Sequence, residues 1–274
     1  MTGPKALRRF IPRLFLIAAI IFTAVGLSKT KPELTAYSYI SHKLPQSFDG
    51  YRIVQISDYH NKDFGDAQAD VIGLVKDAMP DAVFLTGDMV DGNHEDIDAS
   101  RELLEGIYGI APMYYVTGNH ELSMKAQRQY SEFRKLMSVY GVTELDGGHI
   151  RLYKGEGSIK VYGIGYGRHG ILQKLEAADQ SEFNILLYHG SDDFDLIAPY
   201  GYDLVFSGHA HGGIVRLPVV GGVFGNRGKL FPEFDSGLFK RGDSTLVSSR
   251  GMGDSYVPRF YNNPEVLMLE LNTK

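Results

Sequence analysis

The chain of 274 residues contains no cysteine and no tryptophan, and its formal net charge is −5. The absence of cysteine excludes disulfides and thiolate zinc sites, and it is consistent with a protein located outside the cytoplasm. The mildly acidic balance gives no reason to expect a nucleic-acid partner. No internal repeat or low-complexity segment interrupts the sequence. The composition is globular, 43% hydrophobic, and the chain is long enough for one sizeable core.

The first 28 residues combine a basic flank with an uncharged run over residues 14–28. The basic side chains of this flank are Lys5, Arg8, Arg9 and Arg13. At 1.5 Å per residue the run would extend about 22 Å, shorter than the ~30 Å hydrocarbon core unless it is counted from Phe10. We interpret residues 1–28 as a signal anchor, with a cleaved signal peptide or a buried helix as the alternatives. The basic flank would stay in the cytoplasm, and the rest of the chain would lie outside.

Residues 29–50 are interpreted as a polar linker, and residues 51–274 as one domain. In the first half of this domain, short apolar runs alternate with stretches of helical spacing. The predicted strands are residues 53–56, 83–86 and 113–117. The predicted helices are residues 67–79, residues 101–108 with Ser100 as the N-cap, and residues 123–140. This alternation indicates a mostly parallel sheet with right-handed crossovers.

The second half of the domain is richer in strands. The predicted strands are residues 143–145, 151–153, 159–165, 185–188, 204–206, 244–248 and 266–271. One helix is predicted near residues 172–178, and glycine-rich, hairpin-like segments follow the strand at 204–206. The strand count favours two packed sheets with helices outside them.

Five apolar strands each end in polar groups that are able to bind a metal. These groups are Asp58 with His60, Asp88, Asn119 with His120, His189, and His209 with His211. Each group alone is typical of a surface turn or a buried histidine, but chance placement at five successive strand ends is improbable. The carboxyl ends of strands in an open α/β sheet collect ligands, and the Asp88 carboxylate has two oxygens that could bridge two ions. Ordinary surface or structural roles are expected for the remaining histidines: His42, His94, His149 and His169.

The ordered set of motifs resembles the calcineurin-like metallophosphoesterases. The motifs are Asp58-x-His60, Gly87-Asp88-x-x-Asp91, Gly118-Asn119-His120-Glu121, His189 and Gly208-His209-x-His211. The resemblance implies a four-layer αββα sandwich, an α/β fold of two mixed sheets flanked by helices, and two metal ions. It also implies that Asp58, His60 and His211 hold one ion, that Asn119, His189 and His209 hold the other, and that Asp88 bridges them. His120 would be the catalytic histidine, and Glu121, which is aspartate in many members, would not be a ligand.

The implied activity is hydrolysis of a phosphoester by a hydroxide held between two divalent ions, which attacks phosphorus in line. Mixed carboxylate, amide and imidazole donors favour manganese, with iron or zinc as alternatives. Segments 249–253, 258–260 and 263–265 resemble the membrane-anchored bacterial branch, which includes general phosphodiesterases and enzymes that cleave UDP-diacylglucosamine. We therefore expect an extracytoplasmic domain at the cell membrane acting on phosphodiester or pyrophosphate bonds, in envelope or lipid-linked substrates. A phosphomonoesterase, a non-catalytic metal-binding scaffold and another metallohydrolase are the alternatives.

Residues 221–241 form a glycine-rich segment that also carries aromatic, aliphatic and basic side chains. They are Phe224, Arg227, Lys229, Leu230, Phe231, Phe234, Leu238, Phe239, Lys240 and Arg241. One interpretation is a pair of hairpins that pack their aromatic rings into the second sheet. The other is a flap beside the His211 loop that meets a lipid-linked substrate or the membrane surface.

Overall fold

The computed structural model describes residues 12, 16–17, 19–20, 22–26, 31–94, 96–167, 171–225, 228–254 and 258–274. Most of the predicted anchor, residues 1–28, therefore lies outside the described residues, as do His169 and Arg227. Within the described part of the chain, no helix is both long enough and apolar enough to cross a membrane.

The first of two six-stranded sheets holds the strand-helix alternation predicted from the sequence. Its strand order is β1-β14-β2-β3-β4-β5, and β2 to β5 run parallel. The strands are β1 Glu33–Ser41, β2 Tyr51–Ile56, β3 Ala82–Leu85, β4 Met113–Tyr115, β5 Val142–Glu144 and β14 Glu265–Thr273. The helices between them are α1 Ala69–Ala78, α2 Asp98–Ile107 and α3 Gln127–Val139.

The second sheet has the order β12-β13-β9-β8-β7-β6. Strands β13, β9, β8 and β7 are parallel, and the two edge strands are antiparallel to their neighbours. The strands are β6 His149–Lys154, β7 Gly157–Ile164, β8 Asn184–Gly190, β9 Leu204–Gly208, β12 Gly237–Arg241 and β13 Ser244–Ser248. A short helix α4, Phe194–Ile197, follows β8, and β10 Val215–Leu217 pairs with β11 Gly221–Phe224 in a separate ribbon.

Strand β3 shows how the layers are formed. Val83 and Leu85 belong to the core between the first sheet and helices α1 to α3. Phe84 points the other way and meets Phe206 of β9 with ring centroids 5.2 Å apart. Successive side chains of a strand face opposite sides of a sheet, so a strand that is buried on both faces is apolar throughout. A third core covers the outer face of the second sheet with α4 and neighbouring turns, which completes the four predicted layers.

Residues 29–50 are not simply a linker, because Glu33–Ser41 form β1 and pair with the C-terminal strand β14 from Glu33↔Glu265 to Ser41↔Thr273. The side chains of β1 are half-buried or exposed, as is typical of an edge strand. Their mixed polarity hides the strand in the sequence, and its partner is more than 200 residues away. The first sheet therefore begins before the predicted domain boundary at residue 51.

Two further local predictions are wrong. The helix expected at residues 172–178 is only a 3-10 turn, Ile171–Gln173, because the backbone N–H of Ala178 donates to Tyr200 O at 2.8 Å instead of to its own segment. Ser100 is not an N-cap, because α2 already begins at Asp98. The Ser100 hydroxyl instead donates to Met89 O at 3.2 Å and ties α2 to the loop after β3.

Candidate metal centre and active site

The first candidate metal group is formed by Asp58, His60 and His211, at the ends of β2 and β9. All three side chains are buried. The Nε2 atoms of His60 and His211 are 3.4 Å apart, and His211 Nε2 lies 3.4 Å from Asp58 Oδ1. Two imidazole nitrogens and a carboxylate oxygen that converge in a buried space are a donor set for a divalent cation.

The second candidate group is formed by Asp88, His189 and His209, at the ends of β3, β8 and β9. His189 Nε2 lies 3.1 Å from Asp88 Oδ2 and 3.3 Å from His209 Nδ1. The other ring nitrogen of His189, Nδ1, donates to Thr86 O at 2.7 Å. This bond sets the ring orientation and leaves Nε2 facing the other donors, as is usual for a metal-ligating histidine.

Asp88 belongs to the second group and also lies near the first. Its Oδ2 atom is 4.0 Å from His60 Nε2, which belongs to the first group, and 3.1 Å from His189 Nε2, which belongs to the second. Burial alone would raise the pKa of Asp88, but the adjacent His189 outweighs burial and lowers it. Asp88 is therefore a carboxylate placed to contact both groups at once.

Asn119 and His120 approach from the loop after β4. The buried Oδ1 atom of Asn119 has no hydrogen-bond partner among the residues that the structure describes, which fits a ligand atom facing a cation. The backbone N–H of His120 donates to Asp88 Oδ1 at 2.7 Å, and its imidazole Nε2 lies 4.0 Å from Asp88 Oδ2. The side chain of His120 remains 24% exposed, so this histidine faces the mouth of the site. Burial lowers its pKa, despite the charge of Asp88.

Asp91 is a site residue to which the sequence analysis gave no role, although it closes the Gly87-Asp88-x-x-Asp91 motif. Its Oδ2 atom lies 3.5 Å from His60 Nδ1, and it can share a cation with His60 and His120. Burial would raise the pKa of Asp91, but the His60 contact and two hydrogen bonds from Asn93 together outweigh burial and lower it. His94, which was expected to be an ordinary histidine, contacts the other oxygen of Asp91 at 3.3 Å.

Glu121 is the second residue that sequence reasoning missed. Its buried carboxylate accepts the backbone N–H groups of Asp88 at 3.0 Å, Met89 at 2.6 Å and Gly118 at 2.8 Å. Burial and the charge of Asp88 raise the pKa of Glu121 to about 7. Glu121 therefore joins the loop after β3 to the loop after β4, which are the loops that present Asp88 and Asn119. Its position in the Asn119-His120-Glu121 sequence was the available signal, but its partners near Asp88 are over 30 residues away.

The backbone at the site is strained. Five of the predicted ligands have positive φ: Asp58 (50°), His60 (53°), Asp88 (53°), His209 (70°) and His211 (48°). Non-glycine residues rarely adopt this conformation, and such residues cluster at functional sites. Glycine is needed between the loops, because a Cβ atom at Gly118 would lie 2.2 Å from Asp88 Oδ1.

The donor set fits divalent cations and no soft metal. It combines aspartate oxygens, imidazole nitrogens and one orphaned carboxamide oxygen. Burial would lower the pKa of His189, but Asp88 and Asp58 outweigh burial and raise it to about 10 in the metal-free chain. The negative charges of Asp88 and Asp58 around His189 are the charges that a bound cation would neutralise.

Comparison with known proteins supports a phosphoesterase site at these residues. Residues 51–213 match the calcineurin-like phosphoesterase family. The chain is 28% identical over 287 residues to the uncharacterized metallophosphoesterase YkuE of Bacillus subtilis (strain 168), covering 97% of each chain. It is 26% identical over 241 residues to the phosphodiesterase YaeI of Escherichia coli (strain K12), covering 86% of this chain and 88% of that one. This chain, a metal-binding phosphoric ester hydrolase, therefore belongs to the calcineurin-like phosphoesterase family.

Proposed function

We propose that the chain hydrolyses phosphodiester or pyrophosphate bonds with the help of two divalent ions. Asp58, His60 and His211 would hold one ion, and Asn119, His189 and His209 the other. The observation that carries the proposal is the position of Asp88, whose Oδ2 atom faces His60 and His189 across the two groups. Manganese is the favoured metal, with iron or zinc as alternatives, because hard and borderline donors are mixed in both groups.

Two bound ions would lower the pKa of a water molecule and neutralise charge on the phosphoryl oxygens. The protein's own residues orient the ligands and handle the proton of the leaving group. Asp91 Oδ2 lies 3.5 Å from His60 Nδ1, where it can orient that ring, and Thr86 O accepts the hydrogen bond of His189 Nδ1 and fixes the orientation of the His189 ring. His120 stands at the exposed side beside Asp88, where it can hold a phosphoryl oxygen or give a proton to the leaving oxygen.

The proposed substrates are envelope or lipid-linked phosphoesters outside the cytoplasm. Two observations support this choice: the uncharged run at residues 14–28 behind a basic flank, and the relative from Escherichia coli that is named a phosphodiesterase. The proposed location is the cell membrane, with residues 1–28 as the anchor and the domain extracytoplasmic. Secretion after cleavage of the segment is the alternative.

The test is a substrate panel with and without Mn²⁺: bis-p-nitrophenyl phosphate, p-nitrophenyl phosphate, a lipid pyrophosphate and a carboxylic ester. We expect Mn²⁺-dependent hydrolysis of the diester and the pyrophosphate. Asp88→Asn should lower that activity by at least about 100-fold, the upper end for groups that only support a metal ligand. Its metal content by elemental analysis should fall with it. Asp243→Asn, at an exposed turn, is the matched control.

Other results would select other functions. Preferred hydrolysis of p-nitrophenyl phosphate would make the chain a phosphomonoesterase. Binding of metal without turnover on any phosphoester would favour a scaffold, and turnover of the carboxylic ester alone would favour another metallohydrolase. Full metal content and normal turnover in Asp88→Asn would remove Asp88 from its proposed bridging position.

A further inference from the structure

The tip of the β10–β11 ribbon is apolar, which is unusual for a turn in water. The tip carries Val219, which is fully exposed, and Val220, which is 59% exposed. Val219 also has φ = 72°, a conformation that a β-branched side chain disfavours. Glycine, asparagine or aspartate usually occupy hairpin turns with positive φ. A polar turn would serve the fold as well as these two valines do, so folding alone does not explain them.

A second exposed apolar pair lies beside strand β11 of this ribbon. Leu230 is 64% exposed and Phe231 is 63% exposed. The backbone N–H of Phe231 donates to Val223 O of β11 at 3.0 Å, and Leu230 forms an isolated bridge with Phe224. Val219 and Val220 thus lie at the tip of the ribbon, Leu230 and Phe231 lie beside its strand β11, and we call these four residues the apolar rim.

Two members of the apolar rim, Val219 and Val220, lie near Tyr261, which contacts described residues of the N-terminal helix. Tyr261 lines a cavity together with Val219 and Val220. The backbone N–H of Tyr261 donates to Gly26 O at 3.0 Å, its hydroxyl donates to Phe22 O at 3.1 Å, and the Phe22 and Tyr261 rings lie 4.8 Å apart. More than half of the side chain is exposed at three positions of that segment: Leu16, Ile17 and Ile20. An exposed apolar helix and an exposed apolar ribbon therefore meet at Tyr261.

The same region adjoins the candidate metal centre. Val215 of β10 pairs with Phe260, next to Tyr261. The following residue, Asn262, donates from Nδ2 to His211 O at 2.7 Å. One short segment, residues 260–262, therefore contacts the helix, the ribbon and the loop that presents His211.

We propose that the apolar rim contacts the surface of a lipid bilayer and thereby places the mouth of the metal centre at that surface. A bilayer accounts for both exposed elements, because the uncharged helical residues described at 16–17, 19–20 and 22–26 and the apolar tip near them can enter one apolar phase together. The proposal concerns a binding surface outside the metal centre, and the rim would bind lipid whether or not the proposed activity is correct.

The absence of tryptophan from the chain makes a clean test possible. Val220→Trp places a single tryptophan in the rim of the full-length protein. Val139→Trp is the matched control, since Val139 is 69% exposed at the end of α3, close to the start of β5 and away from the strand ends that form the site. Both proteins are mixed with phosphatidylethanolamine–phosphatidylglycerol vesicles that contain brominated or unbrominated acyl chains.

We expect the emission of Val220→Trp to shift to the blue and to be quenched by brominated lipid. Quenching should be strongest for bromines near the headgroup boundary, about 5–10 Å deep, as for other interfacial apolar surfaces. The emission of Val139→Trp should be unchanged. Equal emission of the two proteins on vesicles, or a failure of Val220→Trp to sediment with vesicles, would overturn the proposal. A blue shift without lipid that grows with protein concentration would also overturn it, in favour of contact with a second copy.

Turnover of bis-p-nitrophenyl phosphate, measured in the same samples, separates this proposal from the proposed function. Retained turnover without quenching refutes the lipid-contacting rim alone. Quenching without turnover refutes the proposed activity alone and supports the rim.

Discussion

His120 differs from the other histidines of the candidate site because its side chain reaches solvent. It is 24% exposed, whereas the side chains of His60, His189 and His211 are exposed by 5% or less. A group that gives a proton to a leaving oxygen must face the substrate, whereas a metal ligand can be fully buried. Burial also lowers the pKa of His120 below 6.5, so the fraction of protonated imidazole falls as the pH rises towards neutrality.

His120→Gln should lower turnover of a diester with a poor leaving group by ~10²–10⁴-fold, the usual contribution of a positioned acid or base. Its metal content should equal that of the parent. The parent's rate on that substrate should fall as the pH rises above the lowered pKa of His120, and the variant should lack this fall. Steady-state kinetics over pH and elemental analysis provide the measurements.

Turnover of a p-nitrophenyl ester should suffer less, because that leaving group needs little protonation. His149→Gln, on the edge strand β6, is the matched control. Loss of metal in His120→Gln would make His120 a ligand, and an unchanged rate with the poor leaving group would refute the role of proton donor.

At the scale of elements, residues 221–241 combine features of both interpretations from the sequence. Phe234 is 3% exposed and packs edge-on against Phe194 of α4 and Phe239 of β12, with ring centroids 5.6 and 5.4 Å apart. Packing into the second sheet is confirmed for this ring. Phe231, three residues earlier, is 63% exposed and belongs to the apolar rim. A functional test of the segment must therefore leave Phe234 unchanged.

Phe234→Ser should lower the free energy of unfolding by ~3–5 kcal/mol, the range for removing a buried aromatic ring. Phe231→Ser should change it by no more than about 0.5 kcal/mol, as is usual for an exposed position. Urea unfolding followed by tyrosine fluorescence measures both values. Equal destabilisation by the two substitutions would show that Phe231 also packs in the core, and the apolar rim would lose one of its members.

At the scale of the whole molecule, the candidate metal centre takes its donors from both sheets. Asp58, Asp88 and Asn119 come from loops of the first sheet, and His189 and His209 come from the second. A cation bound to donors from both sheets would stabilise their packing. It would also displace a proton, because the pKa of His189 is raised to about 10 in the metal-free chain and a ligating imidazole must be neutral.

Removal of metal by a chelator should lower the melting temperature. Re-addition at 100 times the dissociation constant should restore about 2.7 kcal/mol of stability for each site. In the metal-free chain, the stabilisation from protonated His189 is fully present below pH 6.5 and is lost as the pH rises through about 10. Metal uptake at neutral pH should therefore release about one proton from His189.

Titration calorimetry with Mn²⁺ in two buffers of different ionisation enthalpy measures that proton, and scanning calorimetry measures the stability. An identical heat in both buffers would show that His189 is already neutral in the metal-free chain. A melting temperature that does not respond to metal would show that the ions do not join the sheets.

The sequence by itself predicted the strands of both sheets except β1 and β12, together with the polar groups that follow five of them. It could do so because a buried strand is a local apolar run, and a ligand that follows it is a local change of residue type, as at Val83–Asp88. The resemblance to the family motifs then assigned a ligand or catalytic role to each of these groups. Their convergence in space still depended on parallel strands that place their carboxyl ends at one edge of a sheet.

Only the tertiary structure shows which residues position the candidate metal ligands. Glu121 holds the loop of Asp88 through backbone N–H groups more than 30 residues away, and Asp91 is tied to His60 across two different strands. Strand β1 is fixed by its pairing with β14 at the other end of the chain, because the mixed polarity of its own residues leaves no continuous apolar run. Asp58 and His211 keep positive φ because the packed loops outweigh their local preference. These features depend on partners distant in sequence, so no local pattern could have contained them.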